Sequence, residues 1–208
     1  MSNRLGLRDR KKEATRQAIS NVATRLFVER GFDNVSVADI ADEAQVARKT
    51  VFNYFPRKED LVFDREEEGR ALVREALAAR GERSPIAAFQ ALMRALLESE
   101  HPIFLITERP IQFWRTVAES PALTARASEL QVTLADDLAA MLAQAAGRPR
   151  TDPQARLAAT MLMSTLVVAY GEALRVFREG REPAHAFAAV MDRGFTGVDA
   201  ALAGTPYA

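Results

Sequence analysis

The sequence predicts an all-α protein, and three observations carry that expectation. Apolar residues recur at three-and-four spacing through almost every segment, which stripes one face of a helix. Proline, joined at several points by glycine, punctuates the boundaries between those segments. No stretch alternates apolar and polar residues as a half-buried strand would. The 208 residues, a little under half of them hydrophobic, are ample for a sizeable core, and about nine or ten helices are expected.

The elements follow in order. Over residues 10–30, Ala18/Ile19, Val22/Ala23 and Leu26/Phe27 share one face. Gly31 ends that helix, and Phe32 can fold back onto its last turn. Ser36 opens a shorter helix, with Asp39 in the capping-box position and Val37, Ile40 and Ala41 facing inward. That helix ends near Ala44, and Gln45-Val46 make a tight link to "ARKTVFNYFP" (47–56). Pro56 closes this stretch, because the residue before a proline is pushed out of helical geometry. A long helix is expected from Lys58 to Ala79, with Glu59 and Asp60 in its first turn. After a break at 81–85, helices are expected over 86–99, 102–108, 110–119, 122–146, 153–179 and 184–203, each boundary marked by proline or glycine.

Composition narrows the function. Formal net charge is zero, yet residues 1–65 carry 13 Lys+Arg against 10 Asp+Glu, while the remainder carries 15 against 18. All four lysines, Lys11, Lys12, Lys49 and Lys58, fall in the first segment. A basic front end on a neutral chain suits either a local contact with a polyanion or a solvated tail. There is no cysteine, so a disulfide framework, a thiolate metal site and a cysteine nucleophile are all excluded. The opening residues lack the apolar run of a secretory signal. The longest nearly apolar run, residues 157–171, falls short of the roughly 20 residues a membrane span needs. A cytoplasmic protein with one very buried helix is expected. With two histidines, His101 and His185, no phosphate loop and no nucleophile elbow, catalysis has little to work with. No catalytic residue, metal site or cofactor is expected, and the pair Asp136-Asp137 reads as solvated charge.

On a helical wheel, Val51 and Phe55 share the inner face of residues 48–55. Lys49 and Asn53 point the opposite way, Thr50 sits beside them, and Phe52 and Tyr54 take the flanks. A cation, a hydroxyl and a carboxamide edged by aromatics can meet base edges and phosphates in a major groove. With the preceding helix and its short link, this makes a helix-turn-helix. Short helix pairs without nucleic-acid partners are also common in all-α proteins, so the wheel alone leaves a purely structural module open.

The segment from Thr15 to Val62, about a quarter of the chain, resembles the DNA-binding domain of the tetracycline-repressor (TetR/AcrR) family of bacterial transcription regulators. The likeness rests on Ile19, Ala23, Leu26-Phe27, Glu29-x-Gly31-Phe32, Ser36-Val37, Ile40-Ala41, Ala44 and Val46. It continues through Arg48, Thr50, Tyr54-Phe55-Pro56 and Lys58-Glu59-x-Leu61. The resemblance implies a DNA-binding domain over residues 1–57, with a basic arm, and a helical ligand-binding and dimerisation domain over 58–208. It implies Arg48, Lys49, Thr50, Asn53 and Tyr54 on the DNA-facing side and Lys58 at a phosphate; Phe52 and Ser36 complete the candidate DNA-binding set. Three departures stand out. Ala47 replaces the usual capping Ser or Thr, Gln45 the usual turn glycine, and Phe52 the common Tyr.

The resemblance further implies a ligand-responsive regulator, most simply a repressor, acting as a homodimer on an inverted-repeat operator and released by a small-molecule effector. The basic residues Arg4, Arg8, Arg10, Lys11 and Lys12 form either a DNA-contacting arm or a free tail. Apolar walls with a few polar anchors suit a ligand chamber. Phe104, Arg109, Phe113, Trp114, Met141, Met161 and Tyr170 are the candidate lining. The two long helices 153–179 and 184–203 are the expected dimer interface, pairing as a four-helix arrangement.

Overall fold

The computed structural model describes residues 6–101 and 108–208. Among them lie nine α-helices and no strand. These are α1 (Leu7–Arg30), α2 (Val37–Glu43), α3 (Arg48–Tyr54), α4 (Glu66–Ala78), α5 (Pro85–Glu98), α6 (Glu108–Glu119), α7 (Pro121–Ala145), α8 (Pro153–Arg178) and α9 (Pro183–Ala201). A short 3-10 turn, Lys58–Leu61, precedes α4. The chain forms two compact units. The first runs to Asp64 and includes Ala118–Thr124; the second comprises Arg65–Val117 and Ala125–Ala208.

The first unit is built on the apolar stripe of α1. Ile19, Ala23 and Leu26 are fully buried, as are Ile40 and Ala41 of α2 and Val51 of α3. Gly31 stops α1 with φ at +81° and its N–H bonded to the Phe27 carbonyl, a conformation glycine reaches without a Cβ penalty. Phe32 then turns back, its ring centroid 5.1 Å from that of Phe27. An exposed ion pair, Arg25 to Glu43 at 2.6 Å, links α1 to α2.

The helix expected over Lys58–Ala79 is divided in two. Asp60 accepts from the Arg57 N–H at 3.0 Å, which tightens the first turn into 3-10 geometry. The Asp64 carbonyl, which a continuous helix would give to the N–H four residues on, accepts from Arg16 Nη2 at 2.9 Å instead. The Asp64 carboxylate accepts from the Ser20 hydroxyl. Regular helix resumes at Glu66. A second correction concerns Pro110. It lies in the first turn of α6 rather than between two helices, because that turn's N–H groups need no intrahelical acceptor. The rest of the helix expected over 102–108 lies outside the described residues.

In the second unit, α5, α8 and α9 each begin with a proline preceded by a side chain that caps the next turn. Ser84 accepts from Ala87, Asp152 from Gln154 and Glu182 from His185. Buried Ile86, Leu142, Leu162, Phe187, Met191 and Phe195 form the centre of this core. Arg70 ties α4 to α7 through Asp137 at 2.7 Å and also pairs with Glu66 at 3.2 Å. Gln90 of α5 donates to Asp199 of α9 at 2.8 Å. Helices α8 and α9 approach so closely that a Cβ on Gly194 would lie 2.1 Å from Thr165 Cγ2. Of the described helices, α8 alone is long and apolar enough to cross a membrane by length and composition, with 33% of its most apolar window buried.

Candidate nucleic-acid interface

The interface candidate starts with the cap of α2. The Asp39 N–H donates to Ser36 Oγ at 3.1 Å, and Asp39 Oδ2 accepts from the Ser36 N–H at 2.8 Å. This reciprocal capping box satisfies two backbone donors at once. The Ser36 hydrogen bonds hold the Asp39 carboxyl below its ordinary value. Ser36, included among the candidate DNA contacts, thus spends its hydroxyl on the helix start while remaining exposed.

Helix α2 ends in a Schellman motif. The Val46 N–H donates to the Ala41 carbonyl at 2.9 Å and the Gln45 N–H to the Asp42 carbonyl at 3.1 Å. The motif places Gln45 at φ +54°, so the left-handed position expected at this non-glycine residue is present. Ala47 then starts α3 with no side-chain cap, as its methyl group requires. Phe55 leaves helical geometry at φ −133° just before Pro56.

The faces of α3 are set by what its inner positions bury. Val51 is fully buried and Phe55 is 2% exposed. Arg48, Lys49, Phe52 and Asn53 are exposed, whereas Thr50 and Tyr54 are half-buried. The outward face is therefore two cations, a carboxamide and a phenyl ring, with Thr50 and Tyr54 at its margins. Relative to the wheel, Phe52 moves outward, to 43% exposure, and Tyr54 inward. Positions 48, 49, 52 and 53 are the i, i+1, i+4 and i+5 set of a single helical face.

Supporting groups converge on this helix from α1 and the turn after α3. The Arg16 guanidinium lies 5.0 Å from the Phe55 ring centroid while also holding the Asp64 carbonyl. Lys58 places Nζ 4.0 Å from the Phe32 centroid, a cation–π contact, and partial burial lowers its pKa. Its ammonium is thus anchored at the base of the helix-turn-helix. Arg16, Ser20 and Asp64 give no sign of this role in the sequence. They are polar residues whose partners lie more than forty positions away.

The ligand-lining candidates separate. Trp114 and Tyr170 meet with ring centroids 4.8 Å apart and planes tilted by 36°, and Tyr170 meets Phe187 edge-on at 4.9 Å. Burial pushes the Tyr170 phenol well above its usual range. Met161 packs half-buried against the core of the second unit. Met141 instead lines a cleft of about 220 Å³ with Arg70, Arg74, Asp137, Ala140, Gln144 and Arg150. Phe104 lies outside the described residues, as do the side chains of Arg109 and Phe113. Among the described residues, no group of three or more His, Cys, Asp or Glu side chains is placed to hold a metal ion.

Against known proteins, residues 19–64 match the family model for bacterial regulatory proteins of the tetR family. The HTH-type transcriptional regulator LuxR of Vibrio harveyi is 49% identical over 47 residues, 23% of this chain and 23% of that one. MftR of Mycobacterium tuberculosis, whose name places it in the regulation of mycofactocin biosynthesis, is 29% identical over 172 residues. That alignment covers 80% of this chain and 83% of MftR. Among solved structures, the TetR-family repressor FadR of Thermus thermophilus, in complex with lauroyl-CoA, superposes with a TM-score of 0.53. It is 27% identical, over 88% of this chain and 94% of that one.

Proposed function

The chain belongs to the tetR family of bacterial regulatory proteins, a family of DNA-binding regulators rather than enzymes, and from that premise we propose that it is a ligand-responsive repressor. In this reading it works in the cytoplasm. It binds an inverted-repeat operator as a homodimer and is released by a small-molecule effector. The observation that carries the reading is the outward face of α3, where Arg48, Lys49 and Asn53 stand exposed on a helix anchored by buried Val51 and Phe55. Cations on such a face engage phosphates, and a carboxamide can bond both adenine N6 and N7.

The exposed apolar face of α8 supports the homodimer. Leu157, Val167 and Val168 are 49%, 49% and 59% exposed, and with Ser164 and Gly171 they follow helical three-and-four spacing. On α9, the exposed residues Ala189, Gly197 and Ala200 leave room for close approach by another helix. A partner copy pairing α8 and α9 with their own equivalents would remove this surface from water. Two α3 helices would then address major grooves about 34–36 Å apart. An effector favouring a different separation of the two would weaken binding by shifting that equilibrium. The aromatic group Trp114, Tyr170 and Phe187 is the wall we assign to the effector chamber. Lauroyl-CoA, bound by the FadR relative, is the first effector to assay.

Selection from random duplexes followed by gel shift tests the reading. An approximate palindrome is expected. Asn53→Ala should weaken binding to it by about 1–3 kcal/mol without changing oligomeric state, and Tyr54→Ala should also weaken it. Recovery of no enriched sequence would overturn the proposal.

A further inference from the structure

Phe52 is unexplained by cations and carboxamides alone. Among the described residues, six large hydrophobic side chains are left exposed, and Phe52 is the one aromatic in that group. Its ring stacks on no other ring and meets no cation among the described residues, whereas Phe27, Phe32, Phe55 and Phe195 all make such contacts. The fold offers it no place inside, because the inner positions of α3 are already filled by Val51 and Phe55. One turn before it stand Arg48 and Lys49, and next to it Asn53, all exposed. A phenyl ring held in water among polar side chains forgoes a large transfer gain, and that gain is recovered when a partner covers it.

The chemistry of the ring limits the partner. It has no hydroxyl, so it cannot donate to a phosphate as a tyrosine at this position could. It has no donor or acceptor for the polar base edges either. In a major groove the complementary apolar group is the C5 methyl of thymine. We infer that Phe52 packs against a thymine methyl and is a specificity-determining residue, selecting thymine over cytosine at one position of each half-site. The inference rests on the reading of α3 as the groove helix.

The test uses the full-length protein and the operator it selects. Each thymine is replaced in turn by deoxyuridine, symmetrically in both half-sites, and affinity is measured by fluorescence anisotropy. One symmetric replacement should weaken wild-type binding about fourfold for each methyl removed, about fifteenfold for the pair. Phe52→Ala should bind the thymine operator more weakly and should no longer distinguish thymine from deoxyuridine at that position. Its helical content and oligomeric state should match wild type, since Phe52 is no part of the buried core. If wild type binds every deoxyuridine operator as tightly as the parent, or if Phe52→Ala keeps the same sensitivity, the inference falls while the groove reading stands. If no operator can be selected at all, the groove reading falls and takes this inference with it.

Discussion

Gln45 and Ala47 sit two residues apart between α2 and α3, one a non-glycine residue at positive φ and the other an N-cap without a side-chain acceptor. A left-handed conformation at a non-glycine residue costs roughly 1–2 kcal/mol. Gln45→Gly relieves it, while added freedom in the unfolded chain takes back about 0.4–1 kcal/mol. A net gain of between about 0 and 1.6 kcal/mol is expected, read from the urea midpoint. Ala47→Ser supplies the missing cap acceptor and should raise stability by about 0.5–2 kcal/mol, read from thermal melting. The Ser36–Asp39 box has a pH signature. Because the folded carboxyl titrates below its ordinary 3.8, its contribution is complete above that value and disappears as pH falls through the folded pKa. Melting temperature measured below about pH 4 should therefore decline more steeply in wild type than in Ser36→Ala. Both turn residues were legible in the sequence, because departures from a motif show on its letters. Arg16 and Asp64 were not, since nothing in a single sequence pairs residues 48 positions apart.

At the level of elements, helix ends are what local pattern misses. Periodicity runs on through 58–79, but a side chain from α1 takes the Asp64 carbonyl and interrupts the ladder there. Local pattern cannot register a hydrogen bond supplied from elsewhere in the fold. Pro110 misleads in the opposite direction, since a first-turn proline and a helix-separating one look alike in sequence. The crossing of α8 and α9 is likewise a tertiary fact. Gly194 reads as an unfavourable helix residue until Thr165 is seen against it. Gly194→Ala should therefore destabilise the protein by about 1–3 kcal/mol despite the better helix propensity of alanine. Adding Thr165→Ala, which removes Cγ2 and Oγ1 from the clash, should recover part of that loss in the same denaturant titration.

At the scale of the whole molecule, the homodimer reading makes a strong prediction. Val168→Glu introduces a charge into the exposed apolar face of α8, where Val168 is 59% exposed. The monomer's own core should tolerate it, leaving helical content by circular dichroism unchanged. Sedimentation velocity should show a shift from dimer to monomer, with loss of operator affinity because one α3 alone reaches a single half-site. A dimer that persists in this variant would place the interface elsewhere. Operator binding should also weaken steeply with salt, the slope of log affinity against log salt being about −0.9 per phosphate neutralised. Arg48→Ala should make that slope shallower by about 0.9 for every phosphate it leaves without a cation.

By itself the sequence determined the helical class, the helix-turn-helix between Val37 and Tyr54, the buried role of Val51 and Phe55 and the family to which the front quarter is similar. The helical class and the buried positions follow from spacing within one or two helical turns, and the family from the resemblance of the residues between Thr15 and Val62. Only the tertiary structure decided where the helix after Lys58 breaks, that Phe52 faces outward while Tyr54 turns partly in, and that the rings of Trp114 and Tyr170 meet while Met141 lines a cleft with Arg70 and Asp137. Each of those outcomes depends on which distant side chain occupies the neighbouring space. Local periodicity carries no information about that.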